Sequence, residues 1–226
     1  MKSARDIGVI FDMDGVLVDS AAPHKRSWQL LAGELGRTVT EEEFRRTFGR
    51  QNRDIIPLVF GETSEDRIRE LADRKEEIYR QLVRDDPPIV SGAVELVRGL
   101  AELGVRLAVG SSGPRANIDL ILTAMDAHRH LSVIVSGEDV SRGKPHPDVF
   151  LLAAERLEIV PERCVVIEDA PFGVEAAKRA GMRCVAVLTY HPRDVLAEAD
   201  LVVDTLADVT AEDVVSLIPE GNETRA

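Results

Sequence analysis

Short, mostly β-branched apolar runs alternate with longer amphipathic stretches along most of the chain. The runs cover residues 7–11, 105–109, 133–135, 164–167, 184–187 and 201–203. Such segments read as strands buried on both faces, as in a parallel sheet. Helical patterning occupies residues 93–103, closed by Gly104, and 114–125, opened by Pro114. It returns at 147–157 and at 173–180, the latter closed by Gly181. Glycine suits the residue just past a helix end, and proline suits the first turn. Strand–helix repetition of this kind predicts an α/β fold with a doubly wound parallel sheet.

One region breaks the rhythm. Residues 19–86 contain no convincing strand and instead show amphipathic stretches at 22–35, 41–48, 54–60 and 64–84. In the longest, Ile68, Leu71, Ile78 and Leu82 recur at helical spacing with charges elsewhere. Asp85-Asp86-Pro87-Pro88 reads as a hinge. The predicted organisation is a core domain of residues 1–18 and 87–226, with a smaller all-helical domain, 19–86, inserted after the first strand. Residues 219–226 are polar and are expected to fray.

Composition narrows the function. A chain of 226 residues with 44% hydrophobic content can bury a sizeable core without disulfides. The net charge of −12 argues against a nucleic-acid partner, which would need a basic surface. A small phosphorylated ligand stays open, because a few local cations can reverse the field inside one cleft. No apolar stretch approaches the roughly 18 residues of a membrane span, and the N-terminus lacks a signal-peptide core. A cytoplasmic protein is expected, with no membrane partner and no obligate protein partner evident. Cys164 and Cys184 both open apolar runs and read as reduced core cysteines. His128 and His130 have no further Cys or His group to complete a zinc site. Lys144 follows Gly143 but precedes a proline, and no phosphate-binding Gly-x-x-x-x-Gly-Lys-Ser/Thr occurs.

The candidate chemistry gathers at strand ends, where open α/β sheets bind ligands. The first apolar run continues as Asp12-Met13-Asp14-Gly15-Val16-Leu17-Val18-Asp19-Ser20. In a regular strand Asp12 and Asp14 would share a face, and crowded carboxylates call for a cation or a shared proton. Asp-Gly is also a common turn pair, a reading that suits a lone Asp better than this whole string. Ser111 ends the second run; Lys144 stands in Gly143-Lys144-Pro145-His146-Pro147, before a helix; Glu168-Asp169 ends the fourth run.

These four motifs, in this order, resemble those of the haloacid dehalogenase superfamily, and the likeness spans nearly the whole chain. It implies that Asp12 is a nucleophile passing through an aspartyl-phosphate and that Asp14 is the acid–base residue. Ser111 and Lys144 would hold the transferring phosphoryl group. Mg²⁺ would be bound by Asp12, the backbone carbonyl of Asp14 and Asp169, with Glu168 acting through water or by fixing Lys144. The second Asp points to phosphoryl rather than carbon–halogen chemistry. The residue types suit that chemistry: a carboxylate splits one hard transfer into two, and a clamp neutralises the phosphate. Mg²⁺ favours oxygen ligands, lysine brings a compact charge, and a helix start adds N–H groups near Ser111.

The helical insertion is similar to the cap of the subgroup containing β-phosphoglucomutase and small sugar or glycolate phosphatases. His24, Trp28 and Lys75 match mutase cap positions, although Trp28 also reads as cap core and Lys75 as a solvated helix charge. Thr47-Phe48-Gly49-Arg50-Gln51-Asn52 keeps the loop glycine but has Phe48 and Asn52 where the mutase carries cations. Ser112-Gly113-Pro114-Arg115 likewise replaces the segment that brings a Lys and an Asn to the second phosphate. Candidate substrate contacts are Gly15, His24, Gly49, Arg50, Asn52, Lys75, Ser112 and Arg115, of which Arg50 or Arg115 could grip phosphate bidentately. The expected function is a Mg²⁺-dependent phosphatase acting on a small phosphorylated metabolite such as a sugar phosphate. The alternative is a β-phosphoglucomutase-like isomerase. A non-catalytic binding protein is a third reading, disfavoured by intact Asp12, Asp14, Lys144 and Asp169.

Overall fold

The computed structural model describes residues 6–47 and 50–219. Six parallel strands form one sheet: β1 (Gly8–Phe11), β2 (Arg106–Gly110), β3 (Leu131–Val135), β4 (Cys164–Glu168), β5 (Arg183–Val187) and β6 (Leu201–Val203). Their order is β3-β2-β1-β4-β5-β6. The chain winds outward from β1 in one direction, then restarts at β4 and winds the other way. The crevice at the carboxyl ends of β1 and β4 is therefore the topological switch point, where doubly wound folds bind ligands.

Side-chain alternation explains why every strand is apolar throughout. Val9, Phe11, Leu107, Val109, Val165 and Ile167 pack into one buried layer with α5 (Ala93–Glu102), α6 (Arg115–Ala124) and α9 (Ala211–Ser216). Ile10, Ala108, Val166, Cys184 and Ala186 face the other layer, with α7 (Asp148–Leu157) and α8 (Pro171–Arg179). Both faces are covered, as an all-parallel sheet requires. Each expected strand and core helix is present with ends shifted by a few residues. α9 was not expected; its signal is Thr210, whose hydroxyl accepts the Asp213 N–H while Asp213 accepts the Thr210 N–H. That is a capping box. Residues 220–226, most of the expected frayed tail, lie outside the described residues.

The segment after β1 is helical: α1 (Ala21–Glu34), α2 (Glu41–Thr47), α3 (Asn52–Phe60) and α4 (Glu65–Val83). It has its own apolar cluster, including Trp28, Leu31, Phe44, Ile56, Leu71 and Ile78. Leu82 departs from the expected stripe and is exposed, while Lys75, Tyr79 and Val83 are buried instead. α4 is pressed between two surfaces, so its inward face is wider than one apolar stripe. The chain leaves and rejoins the sheet domain side by side. Asp19 N–H donates to Pro88 O at 2.7 Å and Val90 N–H to Leu17 O at 3.1 Å, with Val18 and Ile89 bridged antiparallel.

Candidate active site

A cavity of about 390 Å³ lies between the switch point and the helical segment. Its walls include Asp12, Asp14, Lys144, Glu168 and Asp169 from the sheet domain, and His24, Trp28, Arg50, Asn52 and Lys75 from the helical segment. β1 ends at Phe11, so Asp14 sits in the following turn rather than on a shared strand face. Gly15 makes that turn with φ +79°, a left-handed conformation glycine adopts freely. Any Cβ there would also lie 2.1 Å from Asp169 Oδ2.

Lys144 Nζ donates to Asp12 Oδ1 at 2.8 Å and to Glu168 Oε1 at 2.7 Å. The other Glu168 oxygen accepts the N–H groups of Asp169 and Ala170 at 2.7 and 2.8 Å. Gly173, in the first turn of α8, leaves room for that carboxylate; a Cβ would fall 1.7 Å from Glu168 Oε1. Glu168 thus fixes Lys144 with one oxygen and the turn after β4 with the other.

Asp12, Glu168 and Asp169 each offer one oxygen within 4.8 Å of the others. Burial, with help from Glu168 and Asp14, pushes the Asp12 pKa up to about 7 despite the attraction of Lys144. Burial and the same acidic neighbours raise Asp169 as well. One ammonium therefore does not offset this cluster. An all-oxygen, anion-rich, buried donor set is what a hard divalent cation such as Mg²⁺ fits.

Asp14 is held differently. Burial works to raise its pKa, but the charge and hydrogen bond of His24, with Lys75 beyond, outweigh that and lower it. Lys75 Nζ lies 2.6 Å from His24 Nδ1, and His24 Nε2 lies 3.1 Å from Asp14 Oδ1. Lysine has only donors, so Nδ1 is the nitrogen that accepts from Lys75 and Nε2 the one that faces Asp14. The ring also stacks on Tyr79 with centroids 4.0 Å apart.

A family model for haloacid dehalogenase-like hydrolases matches residues 9–187. The chain belongs to this family. Validoxylamine A 7'-phosphate phosphatase of Streptomyces hygroscopicus subsp. limoneus is 34% identical over 203 residues, covering 88% of this chain and 94% of that protein. β-Phosphoglucomutase of Bacillus subtilis (strain 168) is 32% identical over 212 residues, covering 90% and 92%. The crystal structure of a family IA, variant 3 HAD hydrolase from Entamoeba histolytica superposes with a TM-score of 0.86 at 25% identity, covering 94% and 99%.

In this haloacid dehalogenase-like hydrolase the expected residues fall into three groups. Asp12, Asp14, Lys144, Glu168, Asp169, His24, Lys75, Arg50, Asn52 and Ser112 share the cavity wall. Lys75 is buried, not solvated, and Trp28 is both cap core and wall. Ser111 is buried just beneath the wall, its hydroxyl accepting Gly113 N–H at 3.0 Å. Arg115 pairs with Asp119 one turn on at 3.0 Å and does not line the cavity. Gly15 likewise lies off the wall, its carbonyl accepting the Thr189 hydroxyl at 2.6 Å. Gly49 lies outside the described residues.

Sequence reasoning missed Arg45, Arg46, Glu76 and His191, which share the cavity wall, and Asn117, which bonds Glu76 and Arg80 behind it. Glu76 sits in the charged run Arg74-Lys75-Glu76-Glu77, which reads as a solvent face. Nothing local marks it as buried. Among the described residues no helix is long and apolar enough to cross a membrane. Cys164 and Cys184 are free and buried, and burial pushes the Cys164 thiol up to about 12, far from reactivity.

Proposed function

We propose that this hydrolase is a Mg²⁺-dependent phosphatase of a small phosphorylated metabolite such as a sugar phosphate, working through an aspartyl-phosphate on Asp12. The observation that carries this reading is the division of the two aspartates. Asp12 is gripped by Lys144 inside the acidic cluster, and Asp14 is bound separately to a cap histidine. One carboxylate is thereby set beside a cation as nucleophile, and the other is held apart from it by a histidine for proton transfer.

The free Asp12 oxygen attacks phosphorus while the bond to the substrate oxygen breaks. Lys144, already on Asp12 Oδ1, draws charge from both groups. Asp14, when protonated, gives its proton to the departing alcohol; ionised, it takes a proton from the water that attacks the mixed anhydride. Phosphate leaves, and Asp12 is restored. Asp12, Asp169 and the Asp14 carbonyl would hold Mg²⁺, which when bound supplies neutralisation of the phosphoryl oxygens. The helical segment, residues 19–86, serves as a cap that excludes water and reads the substrate. Free, buried cysteines support a reducing, cytoplasmic setting.

A mutase is the second reading, favoured by His24 and Lys75 both facing the cavity. Against it, two of the expected second-phosphate contacts are spent, the Asn52 amide on Glu76 and Arg115 on Asp119, which leaves Arg45, Arg46 and Arg50 as the cap-side arginines of the wall. A panel of phosphorylated metabolites with Mg²⁺ separates the readings. Phosphate release, silenced by EDTA and restored by Mg²⁺, is expected. Phosphate migration between hydroxyls, dependent on a bisphosphate primer and without net release, would establish the mutase instead. Full activity after thorough chelation would remove the metal.

A further inference from the structure

The cap and the sheet domain meet at a buried polar joint. Glu76, in α4, is 7% exposed, and Asn117, in the first turn of α6, is 1% exposed. Asn117 Nδ2 donates to Glu76 Oε2 at 2.6 Å, and Asn117 Oδ1 accepts from Arg80 Nη1 at 2.9 Å. Both ends of this one amide are therefore held by α4 residues one helical turn apart. The neighbouring Ile118 and Ile121 are fully buried in the layer beneath the sheet. That packing makes α6, and Asn117 with it, the fixed side of the joint.

Glu76 also lines the cavity, and its second oxygen is bonded to two further residues of that wall. Oε1 accepts from Lys75 Nζ at 2.8 Å and from Asn52 Nδ2 at 2.7 Å. Lys75 in turn meets His24, and His24 meets Asp14. Asn117 thus stands four hydrogen bonds from Asp14, through Glu76, Lys75 and His24, and each side chain in between is buried. A lysine with three donors and no other anchor would rotate freely. Here one donor is fixed on Glu76, which aims another at Nδ1 of the ring.

We propose that Asn117 and Glu76 are positioning residues: Asn117 sets the closed seat of α4, and Glu76 transmits that seat through Lys75 to His24, so that Asp14 meets its ring partner only when the cap is shut. The proposal rests on the acid–base reading of Asp14 given above. Opening the cap would take Glu76 and Arg80 off the Asn117 amide and loosen the whole row. Proton transfer would then be confined to the water-excluded state.

Trp28 gives an independent readout, because it is the only tryptophan in the chain and is 3% exposed. It also sits 5.4 Å from Lys75 Nζ, its ring turned to that ammonium. Asn117→Asp keeps the side-chain size but sets a carboxylate against Glu76. With Mg²⁺ present and p-nitrophenyl phosphate as probe, kcat is expected to fall about 10- to 100-fold while KM stays within about threefold. Acrylamide quenching of Trp28 should rise several-fold. The double variant Glu76→Gln with Asn117→Asp restores an amide–carboxylate pair in reversed order, and quenching should return to within about twofold of the parent. A space-filling role for Asn117 predicts instead that Asn117→Asp matches the parent in rate and quenching, and that result overturns the proposal. So does a double variant no closer to the parent than the single one. Asn117→Ser, which removes the amide without adding charge, is read in the same way should Asn117→Asp not melt cooperatively. Asp14→Ala separates the two levels. Parent-like turnover in it removes the acid–base reading itself, whereas a slowed Asp14→Ala beside an unaffected Asn117→Asp removes only the joint.

Discussion

Two places in this molecule bury carboxylates beside a lysine, and they come out oppositely. At the edge of the sheet, Asp12, Glu168 and Asp169 crowd around Lys144, and burial together with mutual repulsion lifts Asp12 to about 7. At the cap joint, Glu76 stands as a single carboxylate among Lys75, Asn52 and Asn117. Burial opposes its charge too, but Lys75, His24 and the hydrogen bonds win and hold it at about 2. The chemistry of the pairs is the same; the ratio of acceptors to donors differs. An edge with surplus negative charge favours a cation, and only with that cation in place a phosphoryl group. The joint is complete within the protein and is suited to holding shape.

Asp12→Asn tests the edge most severely. Phosphate release is expected to fall by about 10⁴-fold or more, because the nucleophile is gone. In metal-free protein at pH 8 the same change should leave the melting temperature unchanged or raise it, since one of several like charges is removed. A marked loss of stability would mean the edge is not overcharged. Glu76→Ala should move stability the other way. It strands Lys75, which is 2% exposed, and should cost on the order of 3–5 kcal/mol in chemical denaturation at pH 7. A loss below about 1 kcal/mol would show that the joint is solvated and not a buried bond.

The smallest effect concerns pH in metal-free protein. Asp12 has a folded pKa above its ordinary 3.8, so its contribution is intact below about pH 4 and is lost as pH climbs toward 7. Glu76 has a folded pKa below its ordinary 4.5, so its contribution is intact above that value and is lost as pH falls toward 2. Melting temperatures of the parent minus those of Asp12→Asn should therefore decline with rising pH. The parent minus Glu76→Gln should decline with falling pH. Mg²⁺ should flatten the first slope and leave the second. Two slopes of one sign would break the contrast.

The edge was far more legible in the sequence than the joint. Asp12, Lys144 and the Glu168-Asp169 pair stand where an apolar run stops or a helix starts, and their order along the chain carries the family resemblance that marks them as ligand-facing. Glu76 and Asn117 carry no such mark. Glu76 is one charge among many on α4, and it is buried only because α6 comes to meet that helix. The sequence drew notice to Arg115, a cation in the right segment, yet Asp119 one turn later captures it. The partner that matters across the joint is the neutral Asn117, two residues on. Strand order also depended on the crossings of the whole chain. Once β1 lies between β2 and β4, however, the place of the site follows.

The paired connectors at Asp19 and Pro88 carry a consequence for how this architecture diversifies. Because the two crossings are laced together by backbone hydrogen bonds, the helical segment is anchored along one edge of the sheet domain. The same lacing leaves its two ends already adjacent, so an insert of another length or shape could be grafted there with little loop-closure penalty. The catalytic floor would keep its wiring to Lys144 while the ceiling, and with it the range of molecules admitted, was exchanged.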